Sequence, residues 1–283
     1  MSRTYKATGI NLKSMPLGES DRLLTILTRE FGLIRVVAPG ARKHLSKLGG
    51  RSGLFVVNEY LVAKGRSLDK ITQAETLESY PALSSDLLKL SAGQYLAEMV
   101  IYHALSDHPQ EEIFYLLSEH LKRLEQLPKT SAERAYIVLA HLAQAVFHLL
   151  ANAGIAPQVR ACCITKSPLT PDLNDPNWRV EFCPSSGGTI KRDQTSDPIP
   201  PKTTPIQLNA TELTLLQQLA ERSLSQLQQN LGQPEGYYTS WLSVERILRH
   251  YTQYHFGRII RSAALIDNYF DSLPTSEPHA ATV

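Results

Sequence analysis

At Pro81 the hydrophobic period of this chain changes from two residues to about 3.6, and the switch divides it into a β part and an α part. Before it, five short runs read as strands: Tyr5–Met15, Arg22–Thr28, Leu33–Ala38, Leu54–Ala63 and Asp69–Glu78. Pro16, Gly18, Gly32, Pro39, Gly40, Gly49, Gly50 and Gly65 punctuate them, the pattern of a small all-β barrel. Five strands with a longer third connection fit an OB-fold, and an SH3-like barrel nearly as well.

After Pro81, Ser84–Leu105 places Leu87, Leu88, Leu90, Tyr95, Leu96, Met99 and Val100 on one broad face, and Glu111–Leu127 does the same with Ile113, Leu116, Leu117, Leu121 and Leu124. Ala132–Ala153 is more apolar and is expected at the centre of a bundle. Asn209–Gln228 opens on Asn209 and Glu212 in capping-box spacing, and a long helix is expected over Thr239–Phe270. The fold class is therefore α+β multidomain: an OB-fold nucleic-acid-binding domain over 1–80, a helical domain over 81–156 and 207–272, an irregular insert over 157–206, and a disordered tail over 273–283. The stretch 157–205 holds 9 of the 17 prolines, which excludes long regular elements there.

Charge is segregated along the chain. Residues 1–70 carry 13 Lys and Arg against 5 Asp and Glu, a net of +8, whereas the remainder has 16 against 22, a net of −6. A basic module on an acidic body is the footprint of polyanion binding, the plainer alternative being a solvated basic surface. The run Gly40-Ala41-Arg42-Lys43-His44-Leu45-Ser46-Lys47-Leu48-Gly49-Gly50-Arg51 concentrates the signal, because glycines allow close approach to phosphate and Arg42, Lys43, Lys47 and Arg51 supply cations. Arg35, Lys64 and Arg66 extend the expected DNA-binding set over the barrel. Tyr5, Phe31, Phe55 and Tyr60 are too few for base stacking to dominate, so binding is expected to be mainly ionic and weakly sequence-specific.

No nucleotide-binding glycine loop occurs, and no carboxylate pair is tied to a nucleophile or ligand set, so the expectation is a non-enzyme without cofactor. Cys162, Cys163 and Cys183 imply no disulfide framework, and their spacing is poor for zinc, because position 165 is Thr and no His lies between His148 and His250. His141 and His148, seven apart on an apolar helix, read as core or rim residues. The first residues lack a signal-peptide pattern and no run of about 18 uncharged apolar residues occurs, so a cytoplasmic protein without membrane contact is expected.

The stretch Leu17-Gly18-Glu19-Ser20-Asp21-Arg22-Leu23-Leu24-Thr25-Ile26-Leu27-Thr28-Arg29-Glu30-Phe31-Gly32-Leu33, followed by Ala38-Pro39-Gly40-Ala41-Arg42-Lys43, resembles the opening of the bacterial RecO family. The resemblance continues through Leu77–Leu88, Tyr95–Glu98, Phe182–Gly188 and Val244–Leu265. It implies an OB-fold, a helical domain and, in many members, a zinc-ribbon-like insert, from which this chain departs because the paired cysteines are incomplete. It also implies a DNA repair and recombination mediator that anneals complementary strands of DNA. The implied partners are RecR, the acidic C-terminal tail of single-strand-binding protein and, indirectly, RecA. Lys122, Arg123 and Arg134 are the candidate contacts for that tail, their ordinary alternative being solvated helix charges. An adaptor whose barrel does not touch DNA is the alternative of a different class.

Overall fold

The computed structural model describes residues 4–128, 134–191, 203–220, 224 and 235–272; the expected tail over 273–283 lies outside them. Strands β1 (Thr4–Leu17), β2 (Asp21–Thr28), β3 (Gly32–Ala38), β4 (Val57–Ala63) and β5 (Asp69–Glu78) close into a barrel in the order β1-β2-β3-β5-β4. Every neighbouring pair is antiparallel except β3 and β5, which pair in parallel at Val36–Asp69 and Val37–Lys70. That closure is the Greek-key arrangement of the OB-fold and decides between the two barrels. Alternation fills the interior with Leu24, Ile26, Val36, Ala38, Tyr60, Val62 and Ile71.

The fourth strand begins three residues later than its apolar run suggests. Phe55 adopts a left-handed backbone, φ 60°, which swings its ring out of the barrel and fully buries it against Gly93 of the helical part. A β-carbon on Gly93 would approach that ring to about 3.0 Å, so the glycine is what lets the aromatic side chain seat.

Seven helices follow among the described residues: α1 (Pro81–Ser84), α2 (Leu87–His103), α3 (Glu111–Gln126), α4 (Arg134–Asn152), α5 (Ala210–Gln218), α6 (Glu235–Phe256) and α7 (Ala263–Asp271). The expected helix from Ser84 instead restarts at Asp86, whose carboxylate accepts from the Leu88 and Lys89 N–H groups as an N-cap. Asn209 and Glu212 form the reciprocal capping box their spacing predicts. The single helix expected over Thr239–Phe270 is two, because Gly257 takes φ +62° after Phe256 and ends α6. Leu248, Tyr251, Val244 and Trp241 of α6 pack into the same core as α2 and α4. α4 is long and apolar enough to cross a membrane by composition, but it is mostly buried among the other helices, the central place its sequence predicts.

The insert carries a small sheet of β6 (Arg179–Cys183), β7 (Gly188–Ile190) and β8 (Ile206–Asn209), in the order β7-β6-β8. Barrel and helices share one core, since Ile10, Leu12, Leu27 and Phe55 cluster with the buried faces of α2–α4. Backbone bonds weld the junction: Leu33 N–H donates to Leu105 O at 2.9 Å, Asp107 N–H to Phe31 O at 2.9 Å and Gln110 N–H to Arg29 O at 2.8 Å.

Two histidines meet between α3 and α4, with His120 Nε2 3.1 Å from His148 Nδ1, so His148 pairs with His120 rather than sharing a site with His141. Burial, helped by the neighbouring His148 and Arg123 charges, lowers His120 to about 3, and burial lowers His141 to about 4. Both values lie below the unfolded imidazole value of about 6.5, so the unfolded chain takes up protons first. The stability these groups confer is complete above that pH and is lost as pH falls toward 4. The thermal midpoint, followed by circular dichroism, should hold between pH 7 and 8 and fall steadily from about 6.5 to about 4.5, above most carboxylate titration. A constant midpoint down to about pH 5 would contradict the assignment.

Candidate nucleic-acid interface

Because side chains alternate, the residues of β1–β3 that do not fill the barrel form a second, outward face. Across it, register sets Lys13 beside Thr25 and Thr25 beside Arg35, while the next row runs Met15, Leu23 and Val37. This face forms the floor of a cleft of about 660 Å³ whose wall is α2, at Ala97, Glu98, Ile101 and Tyr102, and whose far rim is Arg261 and Ser262.

The cleft is cationic where it is open. Lys13, Arg35 and Arg261 are exposed, and among the described residues none of their side chains donates a hydrogen bond or forms an ion pair. The acid in the wall is spent. Glu98 accepts from the Arg261 N–H at 3.0 Å, the Ser262 N–H at 2.8 Å, the Ser262 hydroxyl at 2.6 Å and the Tyr102 hydroxyl. Burial alone would raise its pKa, but the bonds from Ser262, Tyr102 and Arg261 outweigh burial and hold it below the usual carboxylate range. Glu98 therefore stays ionised, with its oxygens occupied by these donors, and fixes the rim that presents Arg261. Tyr102 adds a half-buried ring with the Arg258 guanidinium carbon 5.2 Å from its centroid.

The residues expected from sequence separate into three places. Arg35 lines both the cleft and a neighbouring hollow of about 430 Å³ that Tyr5, Phe31 and Lys64 also line. Lys64 is partly committed, 3.2 Å from Asp69 and 4.7 Å from the centroid of the Tyr5 ring, and Arg66 is exposed on the same β4–β5 turn. Arg42, Lys43, Lys47 and Arg51 occupy the β3–β4 connection, where the guanidinium of Arg42 donates to Gly18 O at 2.7 Å and that of Arg51 to Lys47 O at 2.8 Å. Those two arginines also shape the loop, whereas Lys43 and Lys47 are exposed.

Of the four barrel aromatics, Phe55 and Tyr60 are buried, and Tyr5 and Phe31 pack edge to face beside the smaller hollow. Sequence reasoning misses Lys13, Tyr102 and Arg261. Period-two alternation registered through the β1–β2 hairpin would put Lys13 on the Arg35 face, but nothing local brings Arg261 to β1.

On α3 and α4, Lys122 is exposed, Arg123 donates to Glu119 at 2.9 Å and to Gln144 at 3.3 Å, and Arg134 pairs with Asp86. In the insert, the free thiols of Cys162 and Cys183 are buried, with Cys163 packed against them. Cys162 Sγ accepts from the Lys191 N–H at 3.2 Å and the Thr165 N–H at 3.4 Å. Burial opposes ionisation, yet the bonds from Thr165 and the surrounding N–H groups bring this thiol down to about 7. Cys183 instead faces the Ser185 and Thr203 hydroxyls. Three thiols and hydroxyls do not make the four-donor set of a structural zinc site, and among the described residues no group of three or more His, Cys, Asp or Glu is placed to hold a metal.

Residues 1–80 match the family model for the recombination protein O N-terminal domain, and residues 84–264 match the model for its C-terminal domain. The chain belongs to the RecO family. The proteins named DNA repair protein RecO from Nostoc punctiforme and Trichodesmium erythraeum are 54% and 53% identical to it, over 95% and 96% of this chain and 97% of each relative. The one from Synechococcus elongatus is 45% identical over 94% of this chain and 96% of its own length. RecO membership, the OB-type barrel and the helical body agree along the chain, and they place it in DNA repair and recombination. The division between the two family models, at 80 and 84, brackets the Pro81 start of α1.

Proposed function

We propose that this RecO-family chain binds single- and double-stranded DNA along the outer face of its barrel and anneals complementary strands, without catalysing a covalent step. The observation that carries this is the cleft floored by Lys13 and Arg35 and rimmed by Arg261, three cations without an acid partner among the described residues. Cations along a groove neutralise phosphates and release counterions, and the face offers few groups to read base edges, so bound bases remain free to pair. The family resemblance extends the proposal to assisting RecA loading on strands coated by single-strand-binding protein, together with RecR. The acidic tail of single-strand-binding protein is proposed to meet Lys122, Arg123 and Arg134, and the setting is the cytoplasmic nucleoid. No metal or nucleotide enters the scheme.

Fluorescence anisotropy of a labelled, unstructured oligonucleotide titrated with salt tests the reading. Tight binding at low salt should weaken steeply as salt rises. Replacing Arg42, Lys43, Lys47 and Arg51 by alanine should make the slope of log affinity against log salt shallower by about 1 to 2, since each neutralised single-strand phosphate contributes about 0.7 to that slope. No binding by the wild type at low salt would turn the proposal toward an adaptor that contacts only proteins.

A further inference from the structure

The β3–β4 connection is the most basic loop of the chain and is held at nearly every step. Gly40 N–H donates to the Asp21 carboxylate at 2.7 Å, Arg42 N–H to Ser20 O at 2.9 Å, and the Ser52 hydroxyl to Leu48 O at 2.7 Å. Asn11 and Asn58 both donate to Arg51 O, at 2.7 and 3.0 Å. Two of the loop's apolar residues, Ala41 and Leu48, turn inward and pack on the barrel core. Leu45 does the opposite. It is 89% exposed, the most exposed of the large apolar side chains among the described residues, and its backbone sits at φ 63°, a left-handed conformation that L residues with bulky side chains rarely adopt. Lys43, His44 and Lys47 surround it in sequence, all exposed.

The loop also lies at the end of the cleft floor. Successive rows of the outer face step from Thr25 and Arg35 to Leu23 and Val37 and on to the β1–β2 turn, and it is on Gly18 and Ser20 of that turn that Arg42 docks. A strand running along the cleft toward that turn meets the loop next, with lysines for its phosphates and one outward apolar side chain among them.

We propose that Leu45 is a wedge that enters between two neighbouring bases of a single DNA strand and holds them unstacked, while Lys43 and Lys47 neutralise the flanking phosphates. Apolar side chains inserted at base steps are a general means of unstacking them, and a strand whose bases are separated from each other presents them for pairing with a complement. The inference rests on the proposal that the chain binds DNA.

The test is a short deoxyadenosine strand carrying 2-aminopurine at several positions, whose fluorescence is quenched by stacking, read together with anisotropy of the same strand on the full chain. At saturation the wild type should raise 2-aminopurine emission several-fold. Leu45→Gly, which keeps the left-handed backbone and deletes the side chain, should at its own saturation lose more than half of that rise, and Leu45→Met should restore it. An equal rise for Leu45→Gly at saturation overturns the wedge while leaving DNA binding intact. Absence of any anisotropy change with the wild type at low salt overturns the wedge together with the binding proposal, and the two failures are told apart by the anisotropy alone.

Discussion

Replacing Lys13, Arg35 and Arg261 together by alanine is expected to weaken binding of an unstructured single strand about 100-fold at about 0.1 M salt and to cut the salt slope by about 2. Three single-strand phosphates at about 0.7 each give the slope, and relative to about 1 M salt that slope amounts to two decades at about 0.1 M. The three residues come from β1, β3 and the segment before α7, and their side chains make no hydrogen bond or ion pair with described residues, so their removal should leave the fold intact. Near-ultraviolet circular dichroism checks that point. The measurement is anisotropy across a salt series, with the triple variant set beside the four-residue loop variant. An unchanged slope would mean that DNA does not enter the cleft, and a slope reduced only in the loop variant would move the binding surface to the β3–β4 connection. Glu98→Gln should loosen the rim, because the Arg261 N–H bonds to one carboxylate oxygen and the Ser262 N–H and hydroxyl to the other, and an amide keeps only one acceptor oxygen.

Gly32→Ala should be a strongly damaging single-methyl change at the junction of barrel and helices. Gly32 sits at φ +63°, and a β-carbon there would lie 2.0 Å from Leu105 O and 2.8 Å from His108 O, both backbone atoms that cannot rotate away. The left-handed backbone alone costs an alanine about 1–2 kcal/mol, and displacing the α2–α3 connection breaks the weld between Leu33 N–H and Leu105 O. A total of about 3 kcal/mol is expected, which for a chain of this size lowers the thermal midpoint by roughly 6–12 °C. The cleft should suffer with it, because β3 carries Arg35 and α2 carries the wall. A midpoint within about 2 °C of wild type would show that the junction gives way at little cost. Gly18, which is also left-handed but has nothing near its absent β-carbon, is the control: alanine there should cost only the backbone preference.

The cation set shows how far one-dimensional reasoning reaches. Arg35 is legible because it stands in an alternating β run within a basic segment. The loop arginines are legible as charge, but half of their work is to hold the loop on Gly18 and Lys47, which composition cannot distinguish from phosphate binding. Arg123 and Arg134 read from the sequence as contacts for a partner's acidic tail or as solvated helix charges, and each lies against a carboxylate of the same chain, Glu119 and Asp86. Phe55 reads as the second residue of a strand because its neighbours are apolar, and only the approach of Gly93 explains why it leaves the barrel.

By itself the sequence determined the period change at Pro81, the five strands, the helical faces, the capping box at Asn209 and the concentration of positive charge in the first quarter of the chain. These are local properties, written in alternation, turn residues and charge within a few positions of each other. Tertiary structure decided the parallel closure of β3 on β5 and the pairing of His120 with His148. It also decided the meeting of Lys13 and Arg35 with Arg261. The last depends on a chain that leaves the barrel at Glu78 and returns beside it through the Glu98 carboxylate, which holds Ser262 from 164 residues away. Interactions over such separations are set by packing of the whole core, and no local pattern encodes them.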